Sequence, residues 1–270
     1  RARAVGHRSV GGLMDLGISG RTAVVCASTG GLGAAVARAV AAEGANVVVS
    51  GRRGELAESI AAELPSAVGV AVDLTADGGP EALLAAAAQA FGEIDILVLN
   101  GPGPKPATAS QLDPETTARA VHDLLLVQQT LVNAVLPGMR ARGWGRIVAI
   151  ASSGVVQPLP NLALSNIGRT ALAAYLKSLA TDVAADGVTV NLVLPGRIAT
   201  DRTASLDRAL AESSGRSIEE ARAASERGIP ARRYGRPDEF GATAAFLCGA
   251  SASYITGTAV RCDGGLVGVL

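Results

Sequence analysis

Residues 22–50, Thr22 to Ser50, read TAVVCASTGGLGAAVARAVAAEGANVVVS, and this stretch decides how the rest of the chain is understood. Thr22–Cys26 and Asn46–Ser50 are short β-branched runs of the kind that form buried strands, and between them a glycine-rich turn opens an alanine-rich helix. A strand ending in such a turn makes a phosphate site. Small residues let the backbone approach the anion, and the helix N-terminus offers unpaired N–H groups to it. Gly31 and Gly33 stand where close approach is needed, and Gly33 lets the helix pack on the sheet. Glycine turns also arise for purely structural reasons, so the remainder of the chain has to carry the reading.

A length of 270 residues suits one large α/β domain. The 24 basic residues balance the 24 acidic ones, so nothing argues for a nucleic acid or an acidic membrane surface as partner. Cys26, Cys248 and Cys262 are odd in number and lack metal-like spacing, which points to a reducing, cytoplasmic setting with no disulfide framework and no metal. No apolar run reaches the roughly 18 residues of a membrane span. Residues 1–13, RARAVGHRSVGGL, lack the apolar core of a secretion signal and are expected to be a disordered or vector-derived leader, leaving 14–270 as the domain.

Downstream, β-branched runs alternate with helical runs, which predicts a parallel sheet covered on both faces. Strands are expected at Val68–Val72, Ile94–Leu99, Arg146–Ala151, Val188–Leu194 and Ala259–Cys262. Helices are expected at Glu55–Leu64, Pro80–Phe91, Glu115–Arg142, Ala163–Ala185 and Pro237–Cys248. The alternation breaks at Asp201–Gly228, a charged insert of two short helices in which Ser217 and Glu220 form a capping-box pattern. With few large apolar residues, that insert is expected to be a mobile lid.

Where NAD-preferring folds carry an acidic residue after the second strand, this chain has Ser50-Gly51-Arg52-Arg53. Paired arginines suit a 2′-phosphate, which favours NADPH over NADH. Asp73 ends the third strand, placed either to accept from an adenine amino group or to cap the following turn.

Several separate motifs resemble those of the short-chain dehydrogenase/reductase family, in particular the group similar to 3-oxoacyl-carrier-protein reductases. ASTGGLG resembles the family's TGxxxGxG turn, with Cys26-Ala27 in place of Thr-Gly. ILVLNGPG resembles the NNAG strand end and keeps Asn100, while VNLVLPGRIAT resembles the PGxxxT stretch and supplies Pro195, Gly196 and Thr200. The resemblance runs from about Leu16 to Leu266 and includes the tail GRPDEFGATAAFLCGASASYITGTAVRCDGG. It implies a single doubly wound Rossmann domain with a seven-stranded parallel sheet and helices on both faces, a nicotinamide cofactor, which Arg52-Arg53 make NADP, and usually a tetramer, here expected as a homotetramer. The long helices Glu115–Arg142 and Ala163–Ala185, too apolar to be left bare, would build that tetramer. Carried over residue by residue, it places the cofactor on Ser28, Thr29, Gly31, Leu32, Gly33, Arg52, Arg53, Asp73, Leu74, Asn100, Gly101, Arg169, Pro195, Gly196, Ile198 and Thr200.

The same resemblance breaks at the active site. Family members carry an Asn-Ser-Tyr-Lys tetrad with a YxxxK spacing, whereas here the tetrad serine falls on Ser152, the tyrosine position holds Ser165 and the lysine position holds Arg169. The asparagine position falls on Leu124. A serine hydroxyl is a far weaker acid than a phenol, and arginine donates no proton at working pH. Losing a positioned general acid removes about 10²- to 10⁴-fold in rate. Lys177 lies roughly 12 Å further along the helix axis, and Tyr175 and His122 read as packing or surface residues.

Ser152, Ser165 and Arg169 are therefore the catalytic candidates, with Asn166, Lys105 in the loop GPGPKP and Arg197 as further polar groups near the substrate. Leu124, Val155, Val156 and Leu159 suggest an apolar wall. Three functions remain open for this chain and its small-molecule substrate: an atypical NADP(H)-dependent reductase of a carbonyl or related double bond, a non-redox isomerase or cyclase, and a catalytically silent subunit.

Overall fold

A computed structural model describes residues 15–269, so the expected leader lies outside the described residues. The strands β1 (Thr22–Val25), β2 (Asn46–Gly51), β3 (Ala67–Ala71), β4 (Ile96–Leu99), β5 (Gly145–Ile150), β6 (Val188–Pro195) and β7 (Ala259–Cys262) form one sheet. Their spatial order is β3-β2-β1-β4-β5-β6-β7, and every pairing is parallel. The order reverses between β1 and β4, where an open parallel sheet leaves a crevice at its carboxyl edge.

The strands alternate their cargo between two layers. Ala23, Val25, Val47, Val49, Ile96 and Val98 face one layer, with α1 (Gly31–Ala42), α2 (Gly54–Ala62) and α9 (Pro237–Cys248) packed on it. Val24, Val48, Leu97 and Leu99 face the other, covered by α3 (Gly79–Phe91), α5 (Val127–Ala141) and α6 (Ala163–Val183). Central strands buried on both faces explain the unbroken apolar runs in the sequence. Each fully buried Val or Leu contributes about 1.5–3 kcal/mol relative to exposure.

Two expected helices differ in the structure. The single helix read over Glu115–Arg142 is divided into α4 (Pro114–Val121) and α5 by a π-helical turn at His122–Leu126. That wider turn carries Leu124 onto α6 at Gly168, where a Cβ would come within 2.7 Å of Leu124 Cδ1. The helix expected to run to Ala185 ends at Val183 and tightens into a 3₁₀ turn at Ala184–Asp186. Gly187, at φ 74°, then turns the chain into β6.

The insert forms α7 (Asp201–Ser214) and α8 (Ile218–Arg227). Ser217 Oγ accepts from Glu220 N at 3.1 Å, and Glu220 Oε2 accepts from Ser217 N at 2.9 Å, which completes the capping box. Among the described residues no helix is long and apolar enough to cross a membrane.

Candidate functional site

The turn after β1 is fixed mainly by backbone. Ala27 sits in the left-handed region at φ 46°, and its carbonyl accepts from Asn100 Nδ2 at 3.1 Å. Gly31, at φ 53°, opens α1. Gly33 lies beneath the turn, where a Cβ would approach Ala27 O to 2.5 Å, so its part is to seat the helix rather than to touch a ligand. Ser28 also departs from its expected place: its hydroxyl donates to Val25 O at 2.7 Å and accepts from Ser50 N at 2.9 Å. Fully buried, it locks β1 to β2 and presents no side chain to the crevice.

Beside this turn lies a cavity of about 400 Å³ walled by Arg52, Arg53, Asp73, Leu74, Arg119 and Gln128 among others. Arg53 Nη2 reaches back to Thr29, donating to its O at 2.9 Å and to its Oγ1 at 3.2 Å. Arg52 makes no such contact. Asp73 Oδ1 caps the next turn, accepting from Thr75 N at 3.0 Å and Thr75 Oγ1 at 2.8 Å. The backbone bond from Thr75, then its hydroxyl, holds the Asp73 carboxyl below its ordinary range. Gln128 is 2% exposed, and its Oε1 has no protein partner among the described residues. The two arginines fit an adenosine 2′-phosphate, and the glycine-rich turn at the α1 N-terminus fits a pyrophosphate. The orphaned Gln128 oxygen, an acceptor, suits an N–H donor such as an adenine amino group rather than an anion.

A second cavity, about 590 Å³, shares Ala27, Thr29, Arg52, Arg53 and Gly101 with the first. It passes Gly31, Leu32 and Asn100 and is floored by Pro195, Gly196, Ile198 and Thr200. At its far end stand Ser152, Ser165 and Arg169. Ser152 Oγ accepts from Gly154 N at 3.0 Å, which leaves its proton to donate. The Ser165 hydroxyl has no protein partner among the described residues. Arg169 Nη1 donates to Ile150 O at 2.8 Å. Burial, then the charge of Arg202, pushes the Arg169 guanidinium down to about 10, so it remains a cation at neutral pH.

Other sequence candidates are placed elsewhere. Asn166 spends both ends of its amide on Leu159, accepting from its N at 3.2 Å and donating to its O at 2.9 Å, so it positions a loop. Arg197 Nη1 is paired with buried Asp207 at 3.2 Å. Lys105 is exposed beyond the cavity rim, which the loop reaches at Gly103. Leu124 is packed on Gly168, Val155 joins the core and Val156 is exposed, so of the four expected wall residues only Leu159 lines the cavity. His122 lies at the surface 3.0 Å from Asp123, and half-buried Tyr175 packs on the core. Lys177 Nζ donates to Gly257 O at 3.0 Å, away from Arg169.

The sequence reading passed over Arg202, Leu162 and Leu206 on the far cavity, and Arg119 and Gln128 on the near one. Arg202 had a signal: it stands two residues beyond Thr200, the N-cap of α7, in the stretch already singled out as cofactor-binding.

Residues 26–267 match the family profile described as enoyl-(acyl carrier protein) reductase. Dehydrogenase/reductase SDR family member 4 of Sus scrofa is 33% identical over 256 residues, covering 92% of this chain and 88% of that protein. The 3-oxoacyl-(acyl-carrier-protein) reductase FabG of Haemophilus influenzae is 33% identical over 252 residues, covering 92% of this chain and 99% of its own. Among solved structures, the L-sorbose reductase of Gluconobacter frateurii, complexed with NADPH and L-sorbose, superposes with a TM-score of 0.89 at 32% identity, over 95% of this chain and 100% of that one.

Proposed function

The chain belongs to the short-chain dehydrogenase/reductase family, and from that premise we propose that it is an NADP(H)-dependent reductase of a carbonyl or related double bond, acting through a site without the family's tyrosine and lysine. The observation that carries this reading is the single trough joining Arg52 and Arg53 at one end to Ser152, Ser165 and Arg169 at the other. Bound NADPH supplies a hydride to the electrophilic carbon. Arg52 and Arg53 take the 2′-phosphate and set the preference over NADH, while the turn at Gly30–Leu32 receives the pyrophosphate. Arg169 holds the nicotinamide ribose. The Ser152 hydroxyl donates to the substrate oxygen, and Ser165, directly or through a water, delivers the proton that balances the hydride.

The test follows NADPH absorbance over a panel of ketones with apolar bodies, both neutral and carboxylate-bearing, with Ser152→Ala as control. Consumption that collapses in the variant is expected. Product formed without consumption assigns the chain to the non-redox reading instead, and cofactor binding with no turnover assigns it to the silent-subunit one. A homotetramer is part of the same reading, supported by Leu126 at 45% and Ile167 at 38% exposure on the expected faces.

A further inference from the structure

Arg202 belongs to the insert yet touches the opposite wall of the trough. It is the second residue of α7, and its Nη2 donates to Pro104 O at 3.1 Å. Its guanidinium lies over Gly103, where a Cβ would come within 3.3 Å of Arg202 Cζ. A long side chain held at its tip in this way presents its remaining N–H groups in a fixed direction. Arg202 and Arg169 line the same cavity.

Neither guanidinium has a carboxylate at ion-pair distance among the described residues. Around them Arg197 is paired with Asp207, Arg222 with Glu226 and Arg233 with Glu239, while Arg208, Arg216, Arg227 and Arg232 are exposed to solvent away from the cavity. Arg169 and Arg202 are the carboxylate-free arginines that the far end of the trough holds among the described residues. Asp201 is the one carboxylate on the cavity wall among the described residues, and it pairs with neither arginine. Arg169 is half-buried and Arg202 exposed at the rim, and like charges on one cavity raise each other's cost unless an anion lies between them. The lowered value of Arg169, caused by burial and then by Arg202, expresses that cost. Beside them, Leu159, Leu162 and Leu206 supply an apolar surface.

We propose that Arg202 is the specificity residue for an anionic substrate: an oxo acid whose carboxylate is gripped by the Arg202 fork, flanked by Arg169, with its apolar body on the leucine wall. The inference rests on reading this end of the trough as the substrate site. The pyrophosphate of the cofactor has its own place at the glycine turn, which leaves the Arg202 fork for the substrate.

Binding decides it without turnover. Calorimetric titration of the NADP⁺-loaded protein compares phenylglyoxylate and 4-oxo-4-phenylbutanoate with their methyl esters, in the native chain, Arg202→Gln and Arg202→Lys. NADPH affinity of each protein is measured separately by fluorescence. The acids should bind about 10- to 100-fold more tightly than the esters, as a charge-assisted fork requires. Arg202→Gln should erase most of that ratio and Arg202→Lys should keep part of it, with NADPH affinity unchanged in both. Acids that bind no better than their esters overturn the proposal. So does an Arg202→Gln variant that loses NADPH as severely as the acid, because Arg202 would then serve the cofactor. A chain that prefers acids through Arg202 but consumes no NADPH keeps this inference and removes the reductase reading.

Discussion

The glycine turn after β1 and the helix turn Ser165–Arg169 share one trough, yet they are built from different materials. The first is made mainly of backbone: the left-handed Ala27, its carbonyl held by Asn100, and the glycine-rich opening of α1. It is built with Cys26-Ala27 where the resembling family motif reads Thr-Gly, and Ala27 takes the left-handed backbone in that place. The second is made of side chains at two positions on an intact helix. In the proposed reading, hydroxyl and guanidinium stand on α6 where the resembling motif has phenol and ammonium, which changes only what the helix can donate. A backbone site tolerates substitution that a side-chain site converts directly into altered chemistry.

The strongest attempt to break this contrast restores the side chains alone. Ser165→Tyr with Arg169→Lys should raise NADPH-dependent turnover of a simple 3-oxoacyl substrate, recovering part of the about 10²- to 10⁴-fold general-acid contribution. Leu124 limits the gain, since it is 3% exposed against Gly168 and its apolar side chain offers no hydrogen bond to a relay water. The pH profile sharpens the result. Ser152, Ser165 and Arg169 include nothing that titrates near neutrality, so native kcat/KM should be flat from about pH 6 to 9. It should fall only as pH rises through about 10, where Arg169 loses its charge. A bell centred near neutral pH in the native chain would expose an acid elsewhere and sink the assignment of the proton to Ser165 or its water.

At intermediate size, two adjacent arginines divide the cofactor end into its two materials. Arg52 stands clear, whereas Arg53 is bonded to Thr29 within the turn. Arg52→Ala should weaken NADPH about 10- to 100-fold and leave NADH untouched. Arg53→Ala should weaken both cofactors, because it loosens the turn that receives their common pyrophosphate. An Arg52→Ala variant that loses NADH as severely as NADPH would mean that Arg52 does not read the 2′-phosphate.

Legibility followed the same division. The strands and α9 were readable because buried parallel strands and their alternation write themselves as apolar periodicity, and Pro237–Cys248 matches the expected range. The π-helical turn at His122–Leu126 was not, since one residue's shift in hydrogen bonding leaves no mark on that periodicity. Ser28 and Asn166 were misplaced for a related reason. A motif fixes where a residue stands along the chain, while the direction of its side chain depends on neighbours outside the motif, such as Ser50 for Ser28 and Leu159 in the preceding loop for Asn166. Arg202 escaped because its partner, Pro104, is 98 residues away.

The smallest effect tests the backbone side of the contrast where it is under most tension. Ala27 holds φ 46°, a conformation in which a Cβ crowds the following carbonyl and costs about 1 kcal/mol. Ala27→Gly removes that strain and adds about 0.4–1 kcal/mol of conformational freedom to the unfolded chain, which offsets part of the gain. The residual stabilisation should raise the melting temperature by a degree or two, at about 2–4 °C per kcal/mol for a chain of this size. NADPH affinity should stay level or improve slightly, since Ala27 lines the trough and loses only a methyl group. A lower melting temperature would mean that the Asn100 bond to Ala27 O does not hold this turn in its strained form. The phosphate end would then depend on its side chains as much as the Ser165 end does, and the distinction between the two would fail.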